Sequence, residues 1–215
     1  LGKSINLDAF KILVEVSKKN NIKRFIYASS SSVYGLKKYK NVHEKMSLKP
    51  LTDYSKYKAV CEKILLRFQS KNFTTVTLRP ATVCGFSRRQ RLDVVVNLLT
   101  NLAYNKRKIS VFGGKQLRPN IHIRDMVSAY LLILRAPIKL IAGEIFNVGY
   151  ENITVSSIAK KVKKIIGQDV ELVTTPTDDN RSYHISSDKI LKKLGFTPRY
   201  GVEKAIKELK LAFQR

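Results

Sequence analysis

Tyr54 and Lys58 stand four residues apart. On a helix that spacing puts both side chains on one face. A lysine ammonium beside a phenol favours the phenolate, so Tyr54 could exchange a proton with a hydroxyl near neutral pH. Taken alone the spacing is weak, since Lys56 and Lys58 also fit a solvated face and Tyr54 a half-buried aromatic. Some two dozen residues earlier come Ser29, Ser30, Ser31 and Ser32, followed by Val33, Tyr34 and Gly35. A serine hydroxyl just after a strand can hydrogen-bond a reacting oxygen, and ligands of open α/β sheets bind at that end of the strands. A plain polar loop is the alternative. The two features in this order are far more specific than either one.

These residues need elements to hold them. Residues 23–29 form a short apolar run that reads as a buried parallel strand, with the serines in the loop at its C-terminal end. Before it, residues 4–19 carry Ile5, Phe10, Ile12, Leu13 and Val16 at a spacing that predicts a helix with one buried face. Residues 54–68 read as the helix bearing Tyr54, with Ala59, Val60, Ile64 and Leu65 inward. Residues 74–78 read as a second strand, broken by Arg79-Pro80.

Further along, helices are expected at 93–104, 125–134, 187–194 and 202–213, and short extended pieces at 109–112, 121–123, 144–148 and 170–173. Thr154 is the expected N-cap of a helix at 155–166 closed by Gly167. Strands alternating with helices in the first half imply βαβ units and a parallel sheet. The second half has shorter elements and suggests a smaller lobe.

Composition sets bounds. With 44% hydrophobic and 27% charged residues the chain reads as globular. It contains no run near the roughly 18 apolar residues that cross a bilayer. The two cysteines, Cys61 and Cys84, have no metal-ligand spacing, and a reducing cytoplasm is the expected setting. The net charge of +25 is spread along the chain. A lysine-rich solvated surface explains it better than a nucleic-acid site, because no nucleic-acid-binding motif accompanies it. The positive field would also favour an anionic substrate. The first residue is Leu1 rather than Met, so the chain is read as part of a longer protein.

The ordered motifs resemble the extended short-chain dehydrogenase/reductase family of NAD-dependent sugar epimerases and dehydratases. They run from Lys23-Arg24-Phe25-Ile26-Tyr27-Ala28-Ser29-Ser30 through Val33-Tyr34-Gly35 and Tyr54-x-x-x-Lys58. Leu78-Arg79-Pro80-Ala81-Thr82-Val83-Cys84-Gly85 and Val111-Phe112-Gly113-Gly114 follow. Gln116-Leu117-Arg118-Pro119-Asn120-Ile121-His122-Ile123-Arg124-Asp125 and Phe146-Asn147-Val148-Gly149 complete the set.

The resemblance implies a Rossmann-like, doubly wound parallel sheet with a smaller C-terminal substrate-binding lobe. Residues 1–82 and about 119–150 would belong to the NAD-binding domain, and about 83–118 and 151–215 to the nucleotide-sugar lobe. It implies catalytic roles for Ser30 (Ser31 being the near alternative), Tyr54 and Lys58. Lys58, Pro80, Ala81 and Asn6 would lie along the cofactor, NAD or NADP. Thr82, Phe112, Arg118 and Arg181 would contact the nucleotide sugar, with Ser31 beside them. For Asn6, Arg181 and His122 a structural role is an equal reading. The family's opening strand, Gly-x-x-Gly-x-x-Gly loop and helix, which receive the pyrophosphate, are expected before Leu1.

Ser31 and Ser32 stand where the 4,6-dehydratases carry Asp-Glu, which points away from water elimination. Thr82 and Cys84 also depart from the family's Asn-Val-Tyr-Gly. The implied activity is 4-epimerisation by transient oxidation at C4. A 4-ketoreductase and an inactive nucleotide-sugar-binding protein are the alternatives. A homodimer through the Tyr54 helix is implied as well.

Overall fold

In a computed structural model the described residues are 2–37, 41–177, 182 and 184–214. Strand β1 (Arg24–Ala28) pairs in parallel with β2 (Thr74–Pro80), which pairs in parallel with β6 (Glu144–Val148). The connection from β1 to β2 runs through helix α2 (Asp53–Phe68), as a βαβ unit requires. The chain enters by a π-helical turn (Ser4–Asp8) and helix α1 (Ala9–Lys19).

After β2 comes a short strand β3 (Thr82–Cys84), then α3 (Val95–Lys106), β4 (Lys108–Phe112), β5 (Leu117–His122), α4 (Ile123–Arg135) and α5 (Ile138–Ile141). Beyond β6 lie β7 (Glu151–Thr154), α6 (Val155–Ile166), β8 (Glu171–Thr175), α7 (Asp188–Leu194) and α8 (Val202–Phe213). β3 pairs in parallel with β5, β5 pairs antiparallel with β7, and β4 pairs in parallel with β8. The parallel α/β reading holds, while the second half is two further small sheets, one of them mixed.

Three apolar clusters hold these layers. One joins Val33, Tyr34, Leu78 and Phe146 to Ala129 and Ile133 of α4 and Ile190 of α7. A second joins Val96 and Leu99 of α3 to Ile109, Ile158, Val162 and Ile206. The third packs Phe10 and Val14 of α1 on Tyr27, Leu65 and Phe73. Residues in such positions lose solvent contact on folding, each large one contributing about 1.5–3 kcal/mol.

The expected inward face of 4–19 is corrected. Ile5, Ile12, Leu13 and Val16 are 51–64% exposed, and the buried pair is Phe10 and Val14. This helix is apolar on more than one side, so periodicity alone did not fix which side meets the sheet. Val60 on α2 likewise faces out, with Cys61 and Glu62 buried instead. The second strand is not broken at Arg79-Pro80. It continues to Pro80 opposite Val148, because a proline at a strand end gives up no interior ladder bond, and the Ala81 N–H resumes the ladder to Val148 O at 2.8 Å.

Gly35 ends the serine turn with φ +67°, and a Cβ there would sit 1.9 Å from the Lys49 carbonyl oxygen. Gly195 has φ +70° with nothing within 4 Å of that position. Gly35→Ala should therefore cost about 3 kcal/mol or more, combining left-handed strain with a backbone collision. Gly195→Ala should cost about 1 kcal/mol from the strain alone. Urea unfolding of the two variants checks this difference.

Candidate active site

The site lies at the C-terminal ends of β1 and β2. The β1–β2 ladder runs on through Ser29, whose N–H donates to Leu78 O at 2.8 Å. Ser30 then adopts extended backbone and N-caps a short 3-10 turn, Ser31–Tyr34, accepting from Ser32 N at 3.2 Å. The Ser32 hydroxyl also donates to Ser30 Oγ, at 2.9 Å. Ser30 is thus held as an acceptor from two sides, which leaves its own proton to donate elsewhere. Ser30 and Tyr54 border the same two cavities, and the Ser30 hydroxyl favours the Tyr54 phenolate.

Tyr54 sits in the first turn of α2. Thr52 caps that helix in a reciprocal box with Ser55, the Thr52 N–H donating to Ser55 Oγ at 3.1 Å and the Ser55 N–H to Thr52 Oγ1 at 3.3 Å. Lys58 is one turn further along the same face. Its Nζ lies 5.5 Å from the Tyr54 ring centroid and 4.9 Å from that of Tyr27, and it donates to Ala28 O at 2.7 Å.

Two adjoining cavities meet at Tyr54. One, of about 320 Å³, is bounded by Ser30, Ser31, Tyr54, Pro80, Thr82 and Arg118 among others. The other, of about 570 Å³, shares Ser30, Tyr54, Pro80, Ala81 and Thr82 and adds Cys84, Asn97, Arg89 and Arg91. The structure thus brings Ser30, Ser31, Tyr54, Pro80, Ala81, Thr82 and Arg118 to one place. Lys58 lies behind Tyr54 rather than in either lining. Phe112, at the end of β4, is 58% exposed and borders neither cavity. Asn6 also borders neither. Its amide donates to Gly2 O at 2.9 Å, and its carbonyl accepts from the Cys61 thiol at 3.1 Å. Arg181 lies outside the described residues. His122 is buried, capping α4 by accepting from Arg124 N at 3.1 Å and facing Glu208 at 3.1 Å, a structural arrangement.

The electrostatics involve more groups than the spacing argument named. Burial holds the Tyr54 phenol above the ordinary value, with Arg91 and then Ser30 pulling it down. The Lys58 ammonium lies over the Tyr54 ring and donates to the Ala28 carbonyl. Burial lowers Lys58 itself, with the Cys61 thiol working the other way. Arg91 was not evident in the sequence. It comes from the loop after β3, where it pairs with Asp93 at 2.6 Å, and only the folded loop brings it to Tyr54. Ser32 was equally hidden, as one serine among four.

With this geometry in view, the comparisons define the class. A family model described as "NAD dependent epimerase/dehydratase family" matches residues 3–149, and the chain belongs to that family. It is 34% identical over 170 residues to an uncharacterized UDP-glucose epimerase of Bacillus subtilis, covering 78% of this chain and 52% of the relative. It is 24% identical over 217 residues to a Lactobacillus helveticus UDP-glucose 4-epimerase, covering 91% and 65%. The chain therefore spans about half to two thirds of these relatives' length. A crystal structure of a Thermotoga maritima UDP-glucose 4-epimerase with UDP-glucose superposes with TM-score 0.88 at 28% identity, covering 99% of this chain and 70% of that one.

The family is NAD-dependent, and its solved neighbours include complexes with NAD and with NADPH. The residues present fit the nicotinamide end of such a cofactor: a phenol and a hydroxyl stand at the mouth of a parallel sheet beside the Pro80–Ala81 backbone, with a lysine ammonium behind the phenol.

Two substitutions separate the influences on Tyr54. Ser30→Ala and Arg91→Ala should each raise its titration midpoint, since each removes a group that favours the phenolate. The Arg91 effect should fade in high salt, because that side chain is exposed, while the Ser30 effect should persist. NMR titration of ring-labelled tyrosine checks both.

Proposed function

We propose that the complete protein is an NAD-dependent nucleotide-sugar 4-epimerase. The observation that carries this reading is the convergence of Ser30, Tyr54, Pro80, Ala81 and Thr82 on both cavities at the sheet's C-terminal end. The relatives named as UDP-glucose epimerases support it.

In this reading Tyr54 takes the proton from the C4 hydroxyl and returns it to the same oxygen at the end of the cycle. Ser30 donates its one proton to that oxygen, and Ser32 fixes Ser30. When bound, the cofactor supplies a hydride acceptor that is regenerated within the cycle. Lys58, Pro80 and Ala81 would hold its nicotinamide ribose end. Arg118, on the rim of the smaller cavity, suits the substrate diphosphate, since a guanidinium matches phosphate oxygens in a planar fork. Residues 1–82 and about 119–150 would form the cofactor side, the remainder the sugar side. Homodimerisation would cover the outward residues Val60 and Leu66 of α2 together with Leu13 and Val16 of α1.

One specific observation bears on the sugar. Arg89 and Arg91 line the larger cavity opposite Tyr54, a cationic wall that suits an acidic substituent on the hexose.

Tyr54→Phe in the complete protein should lower kcat by 10³-fold or more, about the scale of general acid–base catalysis, while UDP-sugar binding stays within threefold of wild type. Retained turnover would remove the role. Absorbance at 340 nm separates the alternatives: an epimerase leaves it unchanged through many turnovers, whereas a 4-ketoreductase consumes NADPH in step with product. UDP-glucose and UDP-glucuronic acid compared side by side report on the arginine wall.

A further inference from the structure

Behind the cavities lies a buried charge pair that the proton chemistry does not use. Arg79, at the end of β2, and Glu62, on α2, have side chains only 3% exposed each. They meet in a two-pronged contact, Nε to Oε1 at 3.0 Å and Nη2 to Oε2 at 2.6 Å. Nη1 also donates to Tyr34 Oη at 2.8 Å and to Glu44 O at 3.2 Å. The Tyr34 hydroxyl in turn donates a hydrogen bond to Asn147 Oδ1 at 2.7 Å. On the other side the Ser29 hydroxyl donates to Glu62 Oε1. Burial works against the Arg79 charge, yet Glu62 and Tyr34 outweigh it and hold the guanidinium above its ordinary value.

The placement of these partners is what matters. Ser29 and Tyr34 bracket the serine turn that contains Ser30. Glu62 lies one helical turn beyond Lys58 and two beyond Tyr54. Arg79 immediately precedes Pro80, Ala81 and Thr82. The serine turn, the Tyr54 helix and the Pro80–Thr82 segment are therefore all tied to this one pair from behind. Buried ion pairs add little net stability over an apolar pair of similar volume. What they do impose is direction, because a guanidinium and a carboxylate meet in a fixed fork.

We propose that Arg79 and Glu62 act as positioning residues that hold the serine turn, the Tyr54 helix and the Pro80–Thr82 segment in the register that sets Ser30 and Tyr54 on the same cavities. This rests on the reading of Tyr54 as the acid/base, but its central test does not require turnover.

The test compares wild type with Glu62→Gln, Arg79→Lys and the apolar double variant Glu62→Met/Arg79→Met. The double variant leaves no lone buried charge and should keep a Tm within a few degrees of wild type. The readout is Tyr54 titration by NMR of ring-labelled tyrosine, the signal assigned with Tyr54→Phe. Charged and titratable groups facing Tyr54 are Lys58 on its own helix, Arg91 from the loop after β3, Tyr27 on β1 and Tyr130 on α4. All are left intact.

Loss of the Ser30 contact should raise the Tyr54 midpoint in the folded double variant by about half a unit or more, on the scale of one hydrogen bond. Adding Ser30→Ala to that variant should shift it no further. Where the wild-type protein turns over a nucleotide sugar, kcat should fall at least 30-fold with KM within threefold, and Arg79→Lys should not restore it. A folded double variant whose Tyr54 titration superimposes on wild type would overturn the proposal. If wild type acts on no nucleotide sugar, the functional reading fails, and the titration still decides the positioning role.

Discussion

A guanidinium and a carboxylate shut away from water set the terms for this molecule. Removing both from solvent is costly unless each meets the other with its remaining donors and acceptors filled. Here those are filled by Ser29, Tyr34 and the Glu44 carbonyl, and filling them obliges β1, its following turn, α2 and β2 to converge. The Asn147 side chain extends the same constraint into β6, receiving Tyr34 and donating to Val42 O at 3.1 Å and Ser186 O at 3.0 Å. The arrangement of the first sheet and of the cavity mouth is one solution to a single polar-satisfaction problem.

The chemistry at the front follows from a different balance. A half-buried phenol resists ionisation, so a useful base must be drawn down by its neighbours. The spacing of Tyr54 and Lys58 suggested that lysine would do this, and the two do share a face. The ammonium, however, is over the ring and engaged with Ala28 O. Arg91 and Ser30 add to the pull on the phenol. Helical periodicity reports which face a side chain occupies, not which atom of its neighbour it approaches.

The same distinction explains what could be read from the sequence. Thr154, Gly167 and the apolar stripe between them located α6, because caps and amphipathic spacing are local. The strand at Glu144–Val148 and the helix at Val202–Phe213 were legible for similar reasons. Ser30, Ser31, Tyr54, Pro80, Ala81, Thr82 and Arg118 were found through ordered motifs, and they do gather around one place. The division of the second half into separate sheets was not legible, since pairing of β4 with β8 joins residues about sixty positions apart. Glu62 reads in sequence as one more solvated helix residue, and Arg79 as a strand breaker. Their one signal was a charge set among apolar neighbours, and it becomes meaningful only when the two elements are brought together.

The larger cavity draws its wall from two of the three apolar clusters. Ala81 belongs to the one that includes the first sheet, while Cys84 belongs to the one built on α3, α6 and α8. Cooperative units of this kind open with different free energies. Opening of either unit would part the two sides of the cleft and admit water while the other stays packed. The pocket is therefore expected to be lost before the whole chain unfolds.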